Sequence, residues 1–115
     1  MILRPGVKEF LLSIRGRFNV IVFTAGRKEY ADCILNYLDP ENNIFQLRLY
    51  REDCINLLDK VFIKDLRILH DLEMEKVLII DNSLYSFANQ LKNGVLVTSF
   101  YNDKSDQELW NLMNY

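Results

Sequence analysis

Apolar residues follow two spacings along this 115-residue chain, and the spacings predict helices and strands in turn. Val7, Phe10, Leu11 and Ile14 recur every three or four residues, which indicates one buried face of a helix. Pro5 is predicted in the first turn of this helix. The run 18–23 is largely apolar and β-branched, which predicts a strand buried on both faces. The run 77–80 is entirely aliphatic and predicts the clearest strand. Further helices are predicted over residues 28–38, 66–72 and 107–113, a helical turn over 83–88, strands over 18–23, 45–49, 61–63, 77–80 and 95–97, and an irregular segment over 55–60.

The order of these elements predicts an α/β fold with a mainly parallel sheet, because helices alternate with strands along the chain. The crossovers between parallel strands should be right-handed. A chain of this length can form one domain and no more. No repeat, low-complexity segment or linker divides the sequence, so we expect residues 1–115 to form a single domain.

Polar residues follow three of the predicted strands directly. Thr24 comes after the first strand, Lys64 follows the short run 61–63, and Asp81 with Asn82 follows the aliphatic run 77–80. The carboxyl ends of parallel strands share one edge of a sheet, and ligands bind there. We therefore expect a hydroxyl, an ammonium and a carboxylate–amide pair to converge on one phosphate and one metal ion.

Each of these residues also has an ordinary structural explanation. Thr24 could cap the following helix, Lys64 could be a solvated surface cation, and Asp81 with Asn82 could cap a helix after Ser83. Asp81 is the strongest functional signal, because an unpaired carboxylate directly after four buried aliphatic residues is costly. Asp and Asn oxygens are also hard ligands that suit Mg²⁺.

Four further residues could have a binding, structural or metal-ligating role. Arg51 could bind a second phosphate oxygen or the backbone of a substrate, although an isolated arginine is more often a surface residue. His70, the only histidine, is interpreted as structural. Cys33 and Cys54 lack a Cys-x-x-Cys spacing and a nearby histidine, so we expect reduced core residues rather than a disulfide or a zinc site.

The composition excludes several classes of protein. Hydrophobic residues make up 50% of the chain and charged residues 26%, as in an ordinary globular domain. The net charge of -2 gives no electrostatic reason to expect nucleic acid or an anionic membrane as a partner. No apolar run approaches the ~20 residues of a membrane-spanning helix, and no signal peptide is visible.

A series of short motifs follows the order found in one known family. The motifs are Arg4-Pro5, Val22-Phe23-Thr24-Ala25-Gly26 followed by Tyr30-Ala31-Asp32, Leu38-Asp39-Pro40, Leu49-Tyr50-Arg51-Glu52-Asp53-Cys54, Ile63-Lys64-Asp65-Leu66, Ile79-Ile80-Asp81-Asn82-Ser83, and Ser105-Asp106-x-Glu108-Leu109. The chain closely resembles the catalytic domain of the small RNA polymerase II C-terminal-domain phosphatases and the dullard-type phosphatases. These are protein serine/threonine phosphatases of the haloacid-dehalogenase (HAD) superfamily, and the resemblance implies a three-layer α/β/α fold.

The resemblance also implies roles for the candidate site residues. Thr24 would hold a phosphoryl oxygen, and Lys64 would balance the charge around the phosphate and the nucleophile. Asn82 would coordinate Mg²⁺, Asp81 would orient the waters or ligands of the metal, and Arg51 would face a phosphoprotein substrate. The implied reaction is an in-line displacement supported by positioning and charge stabilisation.

One part of the family pattern does not occur in this sequence. In the family, the first Asp of an Asp-x-Asp motif attacks phosphorus and the second is the general acid and base, but this chain contains no Asp-x-Asp. The family strand that carries this motif lies before Arg4 and occupies the middle of the sheet. We therefore expect an incomplete domain whose nucleophile strand is missing and whose two unpaired strand edges can associate. The segment 57–60 also lacks the glycine found at this turn in many relatives.

Two functions remain open at this point. The first is a Mg²⁺-dependent phosphoserine/phosphothreonine protein phosphatase domain that is inactive as this isolated chain. The second is a non-catalytic binding module, either a pseudophosphatase or a domain like that of a mitochondrial inner-membrane import receptor. Retention of Thr24, Lys64, Asp81 and Asn82 favours the first, and an unrelated α/β binding domain would leave the motif order to coincidence. We expect a nuclear or cytoplasmic, reducing location, with any targeting segment upstream.

Overall fold

The computed structural model of the protein describes residues 3–114. Its helices are α1 (Val7–Ile14), α2 (Lys28–Leu38) and α3 (Glu108–Met113), and its strands are β1 (Val20–Phe23), β2 (Phe45–Leu49), β3 (Ile55–Leu57), β4 (Val61–Ile63), β5 (Ile79–Asp81) and β6 (Gly94–Leu96). Four 3₁₀ segments lie at Arg51–Asp53, Leu66–Ile68, Met74–Lys76 and Leu84–Asn93. None of the helices within residues 3–114 has the length and apolar character needed to cross a membrane.

The first half of the chain forms a parallel strand pair covered by helices. β1 pairs in parallel with β2, and the core beneath them includes Phe10 and Leu11 of α1, Leu35 of α2 and Phe45 of β2. α1 begins after Gly6, which adopts a φ of 84° and lies so close to the Trp110 ring of α3 that a side chain would overlap it. The amino-terminal turn is therefore docked directly on α3.

A buried carboxylate fixes the connection between α2 and β2. Asp39 ends α2, is only 2% exposed, and accepts hydrogen bonds from the backbone N–H groups of Asn43, Ile44 and Phe45 at 2.8–3.0 Å. Burial opposes the charged form, but these three donors outweigh it and lower the pKa of Asp39. The Asp39 carboxylate thus sets where β2 begins.

The second half of the chain forms a separate core. β5 pairs in parallel with β6, and Ile79 packs with Leu66 and Phe87, which is only 2% exposed. Gly94 at the start of β6 is required here, because a Cβ at this position would overlap the Phe87 ring. β3 and β4 form an antiparallel hairpin beside this core.

The two parallel pairs are not joined by a ladder within residues 3–114. The strands form three two-stranded sheets, β1–β2, β3–β4 and β5–β6, so β1 and β5 each keep one edge without a strand neighbour. The α/β class predicted from the sequence is confirmed. The predicted parallel sheet is present as two separate pairs, because nothing in the described part of the chain fills the space between β1 and β5.

Several local predictions were wrong. The irregular segment 55–60 contains β3 and a tight turn, and the helix predicted over 66–72 is only the 3₁₀ segment Leu66–Ile68. The strand predicted over 18–23 begins at Val20 and is mostly half-buried rather than enclosed on both faces. His70 is exposed outside any helix, and Cys33 is an exposed free thiol rather than a core residue.

Candidate active site

A partly buried ion pair forms the centre of the site. The Lys64 ammonium donates to Oδ2 of Asp81, and the two side chains are only 12% and 8% exposed. Oδ1 of Asp81 accepts the backbone N–H of Ser83 at 3.0 Å. Removing two charges from water is tolerated only when they are paired and hydrogen-bonded, which both are here. Lys64 is therefore not a solvated surface cation.

Lys64 reaches this position by a route that the sequence did not predict. It follows β4, which belongs to the antiparallel hairpin and not to a parallel sheet with β5. Its backbone N–H donates to the carbonyl of Ser86 at 2.7 Å, which joins β4 to the 3₁₀ segment that follows Asp81. The expectation that all three polar residues follow strands of one parallel sheet was thus wrong for Lys64.

A second carboxylate holds the segment around Lys64 in place. Asp65 is buried and accepts hydrogen bonds from Arg67, from Nδ2 of Asn89 at 2.9 Å and from Nε2 of Gln90 at 2.8 Å. The Arg67 guanidinium holds the pKa of Asp65 far below its usual range, against the opposing effect of burial. Gln90 also accepts the N–H of Leu66 at 2.9 Å. The segments that carry Lys64 and Asp81 are therefore fastened together by side chains.

Asn82 presents a free amide oxygen next to this ion pair. Its Nδ2 donates to Oγ of Ser99 at 3.1 Å, and no donor within residues 3–114 occupies its Oδ1. Those residues contain no group of three or more His, Cys, Asp or Glu side chains arranged to hold a metal ion. The available oxygen of Asn82 thus fits one position of a Mg²⁺ site whose other ligands are water or come from outside the described residues, and the engaged carboxylate of Asp81 fits a position beside those waters.

These residues line a cavity of about 410 Å³ between the ends of β1 and β5. Phe23, the last residue of β1, lies on one side, and Ile80 and Asp81 of β5 lie on the other. The complete lining consists of Arg4, Phe23, Lys64, Ile80, Asp81, Asn82, Val97, Phe100 and Leu109. The cavity is therefore lined by apolar side chains together with the cationic, carboxylate and amide groups described above.

Arg4 lines this cavity, although the sequence analysis gave it no role. Its guanidinium donates to both carboxylate oxygens of Asp106 at 2.8 and 3.0 Å and to Oγ1 of Thr98 at 3.1 Å. The Arg4 contact lowers the pKa of Asp106. Arg4 and Asp106 lie in the first and last of the quoted motifs, and that shared membership was the only available signal of their pairing.

Thr24 lies one residue beyond the cavity lining. Its Oγ1 accepts the N–H of Gly26 at 3.0 Å, and its own N–H donates to the carbonyl of Leu49 in β2 at 2.9 Å. The N-cap of α2 is Arg27, and no side chain caps that helix, so Thr24 is not a helix cap. Its role in holding a phosphoryl oxygen stays a prediction.

Arg51 is attached to the same loop but lies outside the cavity lining. Its backbone N–H donates to the carbonyl of Gly26 at 3.1 Å, and its Nε donates to the carbonyl of Ala25 at 2.7 Å. The guanidinium carbon also lies 5.0 Å from the centre of the Phe62 ring. Arg51 is therefore an exposed cation with a defined position beside the loop that carries Thr24.

Cys54 is not a replacement nucleophile for the missing carboxylate. Its thiol is half-buried, 3.8 Å from the carbonyl of Thr24 and 3.7 Å from the carbonyl of Tyr50. Burial raises the pKa of the Cys54 thiol, although Lys64 opposes this effect. Because the thiolate and not the thiol is the reactive form, this shift makes Cys54 a weaker nucleophile than an exposed cysteine.

The fold defines the class of protein. The chain superimposes on the RNA polymerase II CTD phosphatase Fcp1 with a TM-score of 0.75 and 26% identity, over 92% of this chain and 28% of that one. The protein is thus an α/β domain of the HAD-like type. The family model described as NLI interacting factor-like phosphatase matches residues 1–115. The chain therefore belongs to this family. The resemblance inferred from the motifs is confirmed.

Curated relatives come from several organisms. CTD small phosphatase-like protein 2 of Dictyostelium discoideum is 41% identical over 97% of this chain and 19% of that protein. Carboxy-terminal domain RNA polymerase II polypeptide A small phosphatase 2 of Homo sapiens is 38% identical over 96% and 40%. Nuclear envelope morphology protein 1 of Schizosaccharomyces pombe is 36% identical over 97% and 23%. The chain thus spans less than half the length of each of these relatives.

Proposed function

We propose that this chain is part of a Mg²⁺-dependent phosphoserine/phosphothreonine protein phosphatase domain, and that residues 1–115 alone do not hydrolyse a phosphate ester. One observation carries the proposal: the buried pair of Lys64 and Asp81 lines the same cavity as the free amide oxygen of Asn82. A desolvated ammonium beside an open polar cavity does not stabilise a hydrophobic core. It does stabilise the negative charge of a phosphoryl group that is transferred in this cavity.

Lys64, Thr24 and Arg51 each have a separate role in binding a phosphorylated substrate. Lys64 supplies positive charge that is already desolvated and held in place by Asp81, so it stabilises negative charge without reorganising at the moment of reaction. The Thr24 hydroxyl donates to a phosphoryl oxygen at the end of β1. Arg51 binds the phosphopeptide from outside the cavity. Catalysis in this arrangement consists of positioning and charge stabilisation.

The residues present fit a Mg²⁺ ion that is held by few protein ligands. Asn82 would coordinate the ion through Oδ1, while Asp81, whose oxygens already bind Lys64 and Ser83, would orient its waters. When bound, the ion neutralises charge on the phosphoryl oxygens. This assignment gives separate roles to Asp81, the last residue of β5, and to Asn82, which follows it.

The attacking carboxylate is the missing component. Among residues 3–114, Asp81 is the only carboxylate that lines the cavity, and both of its oxygens are engaged. The sequence contains no Asp-x-Asp. Phe23 at the end of β1 and Ile80 and Asp81 at the end of β5 line the same cavity, and each strand has one edge without a strand neighbour within residues 3–114, so an additional strand could pair there with both. We propose that such a strand completes the single domain and brings the nucleophile from outside residues 1–115.

A non-catalytic binding module is the second candidate, and the lack of an Asp-x-Asp favours it. The two candidates differ in the genomic sequence that precedes the first codon. An in-frame apolar run ending in Asp-x-Asp-x-Thr or Asp-x-Asp-x-Val supports the phosphatase. A binding module would have a different sequence there.

The relatives suggest a substrate class and a location. Their names include a phosphatase of the RNA polymerase II carboxy-terminal domain and a nuclear envelope morphology protein. We therefore propose a phosphoprotein substrate and a nuclear or cytoplasmic location for this protein.

Binding of phosphopeptides by the isolated chain tests this proposal. The probe is a fluorescein-labelled peptide with one phosphoserine and alanine neighbours, measured by anisotropy beside its unphosphorylated form. We expect the chain to prefer the phosphorylated peptide and Lys64→Gln to lose the preference, because glutamine can still donate to Asp81 but has no charge. The control, Lys76→Gln, alters an exposed lysine paired with Glu73 and should bind normally. Equal binding of both peptides by the unaltered chain would contradict the proposal.

A further inference from the structure

We propose that Phe62 is a positioning residue that aims the Arg51 guanidinium at the anionic oxygens of a bound phosphopeptide. The inference rests on the proposed function, because it concerns how the same site holds its substrate. It adds a residue that neither the motifs nor the chemistry of the cavity singled out.

Arg51 is exposed, yet two contacts fix its side chain. Its Nε donates to the carbonyl of Ala25 at 2.7 Å, and its guanidinium carbon lies 5.0 Å from the centroid of the Phe62 ring. That distance is within the range in which a cation is attracted to an aromatic face. An exposed arginine without such contacts samples many rotamers, and ordering it on binding costs free energy. The two contacts therefore orient Arg51 before a ligand arrives.

The remaining donors of Arg51 are free to bind a ligand. A guanidinium has five N–H groups, and only the one on Nε has an acceptor within residues 3–114. No carboxylate in that part of the chain lies within ion-pair distance of Arg51, although Glu52 is its neighbour in sequence. The four N–H groups on the two Nη atoms match the planar, bidentate geometry with which arginine binds phosphate and carboxylate.

The position of Phe62 links Arg51 to the ion pair in the cavity. Phe62 is the middle residue of β4, opposite Asn56 of β3, and is half-buried. Lys64 comes two residues later, directly after β4 ends. The aromatic platform for Arg51 and the buried ammonium of Lys64 therefore belong to one short segment of the chain.

The charge of Lys64 is already paired with Asp81, whereas Arg51 has no such partner within residues 3–114. Within those residues, Arg51 is therefore an unpaired cation with a fixed orientation beside the loop of Thr24, and it adds to the attraction for an incoming anion. Because Phe62 touches the cation and not the ligand, it affects binding only through Arg51. This dependence separates a positioning role from a contribution to packing.

A double-mutant cycle with the labelled phosphoserine peptide tests the proposal. We expect Phe62→Leu to weaken binding about two- to fivefold, the value of an exposed cation–aromatic contact, while Phe62→Tyr keeps the affinity because the ring remains. In an Arg51→Ala background, Phe62→Leu should have no further effect. The matched control is Phe18→Leu, which removes the ring that Arg17 approaches at 5.6 Å and should leave binding unchanged.

The outcomes separate this proposal from the proposed function. If the unaltered chain prefers the phosphorylated peptide but Phe62→Leu binds it equally well, the positioning role is wrong and the function stands. An equal loss from Phe62→Leu with and without Arg51 would mean that the ring acts through packing, which also overturns the proposal. If the unaltered chain does not prefer the phosphorylated peptide, the substrate class fails and this inference fails with it.

Discussion

Replacing Lys64 by methionine tests how strongly the site depends on its buried ion pair. Lys64 and Asp81 are 12% and 8% exposed, so the substitution leaves a carboxylate in the interior with no cation to balance it. Breaking a buried pair by removing one partner costs about 3–5 kcal/mol. A domain of 115 residues has a total stability of roughly 6–17 kcal/mol. We therefore expect Lys64→Met to shift the midpoint of urea unfolding, followed by circular dichroism, far toward lower urea.

Two further variants make this prediction decisive. Lys76→Met removes an exposed lysine that is paired with Glu73, and it should cost at most about 1 kcal/mol. Adding Asp81→Asn to Lys64→Met removes the uncompensated charge and should recover much of the lost stability. This double variant keeps the test informative even when Lys64→Met is unfolded without urea. If Lys64→Met and Lys76→Met lose the same small amount of stability, the view of Lys64 as a buried, charge-balancing residue is refuted.

Three other predictions concern the fold. Gly94→Ala should lower the melting temperature strongly, because the new Cβ overlaps the buried Phe87 ring. The control Gly16→Ala, which has open space around it, should have little effect. Similar decreases in the two melting temperatures would contradict the packing of Phe87 against Gly94. The lowered pKa of Asp39 stabilises the folded state above the unfolded-state pKa, so this contribution should disappear as the pH falls below about 4. Asp39→Asn should show a flatter dependence of stability on pH in that window, and an unchanged dependence would count against the role of Asp39. Because β1 and β5 have free edges, light scattering should show association that increases with protein concentration; a monomer with a sharp, concentration-independent thermal transition would be evidence against open edges.

The long helices could be predicted from the sequence because their signals are local. The bounds predicted for α2 agree with the structure to the residue, and the apolar positions predicted for the first helix lie in α1, although Pro5 precedes α1 rather than lying in its first turn. Apolar residues recur through several turns of each helix, and Pro5 and Pro40 limit where the helices can begin and end. Periodicity of this kind does not depend on the rest of the fold.

The β3–β4 hairpin could not be predicted in the same way. β3 has three residues, all exposed, so it shows no pattern of burial. Its turn places Leu58 and Asp59 at φ values of 54° and 55°, a conformation usually formed by Asn-Gly or Asp-Gly. The chain adopts this conformation with a leucine, supported by paired hydrogen bonds between Asn56 and Asp59. The sequence of this turn therefore lacks the glycine that would have marked the hairpin.

The candidate site was predicted in part. Lys64, Asp81 and Asn82 were placed together correctly because each follows an apolar run, although Lys64 arrives from the hairpin. Arg4 was missed because its partner Asp106 lies 102 residues away, and no local pattern reports such a pairing. The hydrogen bond that the Thr24 hydroxyl oxygen accepts from Gly26 also could not be predicted from the sequence. Contacts between distant segments depend on the folded arrangement of the whole chain.

Hydrolysis of p-nitrophenyl phosphate by residues 1–115 in the presence of Mg²⁺ tests the central claim most directly. The claim is that Lys64, Asp81 and Asn82 form one part of a phosphoryl-transfer site whose attacking carboxylate comes from outside this chain. The account predicts no turnover above the uncatalysed rate. Turnover that requires Mg²⁺ and is abolished by Asn82→Ala would contradict it, because the chain would then already contain a complete active site.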